Sequence, residues 1–250
     1  MAIEHLNKIL RPATGDESVS VFTSGLSVPE DDVVAAWALL SPEERDRADR
    51  FAFRSDRNRF VVSRAGLRHL LGERLGMTPE SVQFSYGKFG KPALANQPGD
   101  SDLRFNVSHS GDLVVYALAD GREIGVDVEA IAAMEDRDDV ATHCFSKAEQ
   151  DAYLALAESE RTQGFFNCWT RKEAYIKARG DGLSLPLDQF DVTLLSGQPV
   201  QILSTRHDPG EHLHWQLRDL NAGHGYKAAL AVRTPTLQLH YWDWPAGDVT

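Results

Sequence analysis

In Arg122-Glu123-Ile124-Gly125-Val126-Asp127-Val128-Glu129, three aliphatic residues alternate with a glycine and two acids. Side chains on a strand change face at every residue, so Ile124, Val126 and Val128 can enter a core while Asp127 and Glu129 project together from the other side. Two anionic oxygen donors on one face repel at close range unless a cation, a shared proton or an arginine lies nearby. Taken alone, the pattern more often describes an edge strand with its acids in water. Its surroundings separate the two readings.

Upstream, Leu103-Arg104-Phe105-Asn106-Val107-Ser108-His109-Ser110-Gly111 begins as an alternating strand and ends in a polar turn. Residues 113–119 run apolar throughout, as a buried strand does, and Asp120-Gly121 predicts a hairpin turn into the acidic strand. In Gly87-Lys88-Phe89-Gly90-Lys91-Pro92, the proline holds Lys91 extended and fixes the direction its ammonium leaves the loop. Ser41-Pro42-Glu43-Glu44 starts a helix, with serine as cap, proline at the first helical position and acids in the first turn. Residues 57–71 then show helical periodicity, with Arg57, Arg64 and Arg68 along one stripe. Residues 1–28 read as a weak leader with one strand at 19–22.

Downstream, an acidic loop precedes Ser146 and Glu149, which are spaced as a capping box. A longer helix over 164–179 sets Trp169, Glu173 and Lys177 one turn apart on one side, and Gly180-Asp181-Gly182 ends it. Short alternating runs at 190–195, 200–203, 213–220, 226–232 and 237–241 predict an antiparallel sheet. Each half therefore holds a long helix with a polar stripe and a small antiparallel sheet. The expected fold is α+β in two similar lobes, divided into 1–122 and 123–250.

Composition narrows the chemistry. The 250 residues carry a formal net charge of −11, with 42% hydrophobic and 25% charged residues, which describes a globular chain and disfavours nucleic acid as partner. Nine arginines nevertheless fall within 45–74, a local positive field suited to a small polyanion. Cys144 and Cys168 lie in no metal-ligand or disulfide pattern. The absence of a long apolar run and of a signal-type core in residues 1–10 predicts a cytoplasmic protein with no membrane partner.

Taken in order, Gly90-Lys91-Pro92, Phe105-Asn106-Val107-Ser108-His109-Ser110, Gly125-Val126-Asp127-Val128-Glu129, Phe145-Ser146-Lys147-Ala148-Glu149, Trp169-Thr170-Arg171-Lys172-Glu173-Ala174-Tyr175-Ile176-Lys177 and Gly182-Leu183-Ser184-Leu185-Pro186-Leu187 resemble a 4′-phosphopantetheinyl transferase of the surfactin-synthetase-activating type. The resemblance covers about residues 41 to 226. It implies an intramolecular pseudodimer with coenzyme A between the lobes. It also implies transfer of 4′-phosphopantetheine from coenzyme A to a serine hydroxyl of an acyl or peptidyl carrier protein, with Mg2+ as cofactor and Mn2+ as a substitute.

By the same resemblance, Asp127 and Glu129 are metal ligands, and Glu173 either completes the set or takes the serine proton. Lys177, Lys172, His109 and the backbone at Ser108 face phosphate oxygens, with Glu173, Lys177 and His109 as the catalytic group. Neighbouring cations are expected to favour the ionised form of Glu173. Arg47, Arg59, Lys91 and Pro92 hold the 3′-phosphate and adenine end. Glu44 and Asp181 stand where relatives carry lysine; Arg47 and the rest of the arginine stripe are expected to compensate for Glu44, and Asp181 is assigned no role. Segment 134–145 is the expected carrier-docking region, and the chain is expected to act as a monomer. Competing readings are a magnesium-dependent phosphohydrolase of nucleotide anhydrides using the same acids, and a non-catalytic coenzyme A- or carrier-binding protein.

Overall fold

A computed structural model describes residues 18–243, so residues 1–17 of the expected leader lie outside the described residues. The first half runs β1 (Ser18–Gly25), α1 (Glu30–Ala38), α2 (Pro42–Ala48), α3 (Arg54–Leu75), β2 (Phe84–Tyr86), β3 (Pro92–Leu94), β4 (Leu103–Ser110) and β5 (Leu113–Asp120). The second runs β6 (Ile124–Ala130), α4 (Arg137–Cys144), α5 (Lys147–Leu154), α6 (Glu158–Arg179), β7 (Phe190–Val192), β8 (Ile202–Thr205), β9 (Trp215–Leu220), β10 (Tyr226–Arg233) and β11 (Gln238–Asp243).

The two halves repeat one plan. Strands β1, β5 and β4 lie side by side in that order, and β6, β10 and β9 repeat the order in the second half. Helices α3 and α6 are both 22 residues long and both end at a left-handed glycine, Gly76 and Gly180, the conformation glycine adopts without strain. Capping boxes start α2 at Ser41 and Glu44, and α5 at Ser146 and Glu149.

Each box glutamate is buried and paired with a cation on the long helix: Glu44 with Arg68 at 2.8 Å, Glu149 with Lys172 at 2.8 Å. Each of those cations also donates to two carbonyls in the turn after the helix. Arg68 uses Pro79 and Val82, while Lys172 uses Leu187 and Phe190. The halves are thus two similar α+β lobes.

The inner faces of the two sheets pack together through Val19, Val21 and Val115 against Ile124, Val126 and Val128. Helix α3 covers the outer face of one sheet and α6 that of the other. The hydrophobic alternation read from β6 is therefore satisfied against the other lobe, and Gly125, Asp127 and Glu129 turn toward α6. Gly125 makes this contact possible: a Cβ there would lie 2.2 Å from Ala174 O and Ala178 N. Without that hydrogen-only position α6 could not lie against β6.

Two expectations are corrected. Asp120-Gly121 does not close a hairpin, because β5 pairs with β1 and β4 whereas β6 pairs with β10; the turn carries the chain from one lobe into the other. The last strand is not part of an antiparallel sheet in the second lobe. β11 returns to pair parallel with β1, so the first lobe's sheet is mixed and its residues are not confined to 1–122. Parallel pairing needs a long crossover, which the whole second lobe supplies.

Candidate active site

The site forms where β4 meets β6. β6 is an edge strand whose outer amides need acceptors, and β4 supplies them from side chains. Val126 N–H donates to Asn106 Oδ1 at 2.8 Å, Val128 N–H to Ser108 Oγ at 3.3 Å, and Ala130 N–H to Ser110 Oγ at 3.0 Å. This stitch fixes β6 against the first lobe. Asp127, 2% exposed, consequently has its Oδ1 accepting from Ser108 Oγ at 3.1 Å and from Lys177 Nζ at 2.6 Å. Lys177 also donates to Ser108 at 3.0 Å. The other oxygen, Asp127 Oδ2, is buried without a hydrogen-bond partner among the described residues.

Glu129 and Glu173 complete an acidic cluster. Burial raises the Glu129 pKa and Asp127 adds to the rise, while Ser110, Lys177 and Trp169 oppose it. For Glu173, burial is again the largest cause; Lys177 lowers the pKa, Asp127 and Glu129 raise it, and the net shift is upward. The expectation that cations favour ionised Glu173 is therefore corrected, since desolvation and two like charges outweigh one ammonium.

A raised carboxyl pKa means that stability is full below the unfolded pKa and is lost as pH rises through the folded value. At pH 7 the ion-free protein bears this cost, so Glu173→Gln should raise its Tm by about 2–4 °C. At pH 4 the gain should vanish. Thermal scans at the two pH values check this.

His109 is exposed as a residue, yet its pKa is lowered, first by desolvation and then by the charges of Lys177, Arg47 and Arg59. Arg47 is exposed with its guanidinium 5.2 Å from the centre of the Phe60 ring, and Arg59 is held by Asp56 and Asp112 at 3.1 and 2.9 Å. Pro92 lines a cleft of about 250 Å³ together with Lys91, Glu173 and Lys177.

Whether the cluster suits a metal can be judged from its charges. Three carboxylates face one ammonium, and a divalent cation would balance the excess. The unpartnered Asp127 Oδ2 and the oxygen-only donor set fit a hard ion such as Mg2+. Among the described residues, however, no three His, Cys, Asp or Glu side chains are gathered as a ready-made ion site. The expected set of Asp127, Glu129 and Glu173 is thus adjacent but not drawn together, because their charges repel and Lys177 already occupies one side of Asp127.

Burial overturns the phosphate contact expected of Lys172 and the surface stripe expected of Arg64 and Arg68. Lys172 is 0% exposed and committed to Glu149, Leu187 O and Phe190 O, so it cannot face a phosphate in the cleft. Lys91 Nζ donates to Ile124 O at 3.0 Å and Ala178 O at 2.9 Å, clamping the start of β6 to the end of α6, and burial lowers its pKa to about 8. Arg64 and Arg68 turn inward to Glu44 instead of lining a surface stripe. They therefore do not compensate for a lysine at that position. Asp181 pairs with Arg179 at 2.6 Å. Segment 134–145 contains the whole of α4, with Asp138 and Asp139 in its first turn.

Sequence reading did not single out Asn106 and Ser110, nor Glu149 beyond its cap. The signal for the first two was alternation: positions 106, 108 and 110 are the polar face of β4.

Known proteins resemble the chain along both lobes. The family model described as 4′-phosphopantetheinyl transferase, N-terminal, matches residues 28–120, and that of the 4′-phosphopantetheinyl transferase superfamily matches residues 123–231. The 4′-phosphopantetheinyl transferase HetI of Nostoc sp. is 33% identical over 91% of this chain and 93% of its own. The 4′-phosphopantetheinyl transferase Sfp of Bacillus subtilis is 32% identical over 79% of this chain and 84% of its own. A further 4′-phosphopantetheinyl transferase of Bacillus subtilis is 33% identical over 84% and 88%.

Proposed function

The chain belongs to the 4′-phosphopantetheinyl transferase superfamily and transfers phosphopantetheine to a carrier protein; from that premise we propose that coenzyme A is the donor, that a serine hydroxyl is the acceptor, and that Asp127, Glu129 and Glu173 hold Mg2+, or Mn2+ in its place. The observation that carries the ion is the buried, unpartnered Oδ2 of Asp127 beside two further acids with raised pKa values. When bound, the ion stabilises charge on the diphosphate of coenzyme A.

The protein's own groups do the rest. Glu173, which lines the same cleft as Lys177, is placed to take the serine proton as well as to ligate. The serine oxygen forms the new bond to phosphorus, and the bond to adenosine 3′,5′-bisphosphate breaks. Lys177, anchored on Asp127 and Ser108, meets the negative charge that develops, and His109 donates an N–H to a phosphate oxygen. Arg47 and Arg59, close enough to influence His109, fit the 3′-phosphate end. Since one chain supplies both walls of the cleft, the reading includes a monomer, and it places the enzyme in the cytoplasm. No described helix is long and apolar enough to cross a membrane.

Mass spectrometry of a purified apo carrier protein incubated with this protein, coenzyme A and Mg2+ should show the phosphopantetheine adduct, and EDTA should abolish it. Consumption of coenzyme A without carrier would favour a hydrolase instead, and binding without turnover would leave only a scaffold.

A further inference from the structure

We propose that Ser110 is the positioning residue for Glu129, a role that rests on the ion reading above. Its hydroxyl makes two bonds at once, donating to Glu129 Oε2 at 2.8 Å and accepting the Ala130 N–H at 3.0 Å. The carboxylate is thereby tied to the register of its own strand.

The three rungs of the β4–β6 stitch differ in a way that reveals the function. At 106/126 the preceding β6 residue is Gly125, which has no carboxylate, and the acceptor is an amide oxygen. At 108/128 and 110/130 the preceding residues are Asp127 and Glu129, and each acceptor is a serine hydroxyl that also donates to that acid. Among these acceptors only a hydroxyl takes the backbone proton and gives one of its own to the acid through the same atom. The choice of residue along β4 therefore follows the position of the acids along β6.

The energetic need is clear at Glu129. Its side chain has more rotatable bonds than Asp127, so ordering it costs more entropy, and Asp127 repels it. Left unheld, it would swing away from the cluster. Outer-layer partners of metal-binding carboxylates commonly account for about 10- to 100-fold in affinity.

The test is Mn2+ affinity, measured by electron paramagnetic resonance on the full chain without coenzyme A, for the parent, Ser110→Ala and Ser110→Thr. Ser110→Ala should bind Mn2+ about 10-fold more weakly or worse. Ser110→Thr, which keeps the hydroxyl, should return to parental affinity. In turnover, Ser110→Ala should need more Mg2+ for half-maximal rate while kcat recovers at saturation. The ion-free Tm should hardly move, because Ser110 and Ala130 are both half-buried and lie at the ends of their strands. Equal Mn2+ affinity in Ser110→Ala and the parent overturns the assignment, as does a folded Ser110→Thr that binds as weakly as Ser110→Ala. Failure of the parent itself to bind Mn2+ removes the ion reading and the positioning role with it.

Discussion

Asp127→Asn should cut transfer of phosphopantetheine by about 10²- to 10³-fold, the scale on which one preorganised electrostatic group acts, with little change in fold. Asparagine matches aspartate in size and keeps an oxygen for Ser108 and Lys177, whose contacts to Oδ1 are 3.1 and 2.6 Å. What disappears is the charge, together with the anionic character of the oxygen that has no protein partner. The loss should therefore appear in kcat and in the Mg2+ requirement rather than in Tm. Single-turnover kinetics followed by mass spectrometry of the carrier protein, alongside circular dichroism of the variant, checks both halves. Full activity of Asp127→Asn at saturating Mg2+ would remove Asp127 from the ion site.

Lys172→Ala should destabilise the protein by about 3–5 kcal/mol, the cost of leaving one member of a buried ion pair unpaired. For a chain of this length that corresponds to a fall in Tm of roughly 10 °C. Glu149 would be stranded with its two backbone donors, the amides of Ser146 and Val192, but without its counter-charge. Removing both charges together, in Glu149→Gln/Lys172→Met, should recover much of the loss, since a packed neutral pair can replace a buried ionic one. Urea denaturation of the two variants measures the difference. A Lys172→Ala protein of normal stability with a raised KM for coenzyme A would return Lys172 to the phosphate.

The error over Lys172 has a cause visible in the helix itself. Trp169, Glu173 and Lys177 occupy one stripe of α6, whereas Lys172 shares its stripe with Cys168 and Ile176, both buried. Period 3.6 separates neighbours such as 172 and 173 by about 100°, so adjacent charges serve different faces. Arg64 and Arg68 repeat the lesson in α3 among Phe60, Val61, Leu67 and Leu71. A charge flanked at three and four residues by apolar side chains belongs to the core, and its partner must then be sought elsewhere in the chain.

Local pattern was sufficient for much of this protein. Alternation along 124–129 fixed which residues of β6 enter the core, the serine cap and proline at 41–42 and the capping box at 146–149 fixed where α2 and α5 begin, and the order of motifs brought Asp127, Glu129, Glu173, Lys177 and His109 into one expectation. The first two features depend on residues within a few positions of one another, where backbone geometry alone sets the period. Tertiary structure alone decided that β4 closes the open edge of β6 with Asn106, Ser108 and Ser110, that β11 returns to β1, that Lys91 clamps β6 to α6, and that Glu149 meets Lys172 while Glu44 meets Arg64 and Arg68. Each of those outcomes joins segments far apart in sequence, and the free energy of a buried charge or an unpaired amide is set by whichever distant group arrives to meet it.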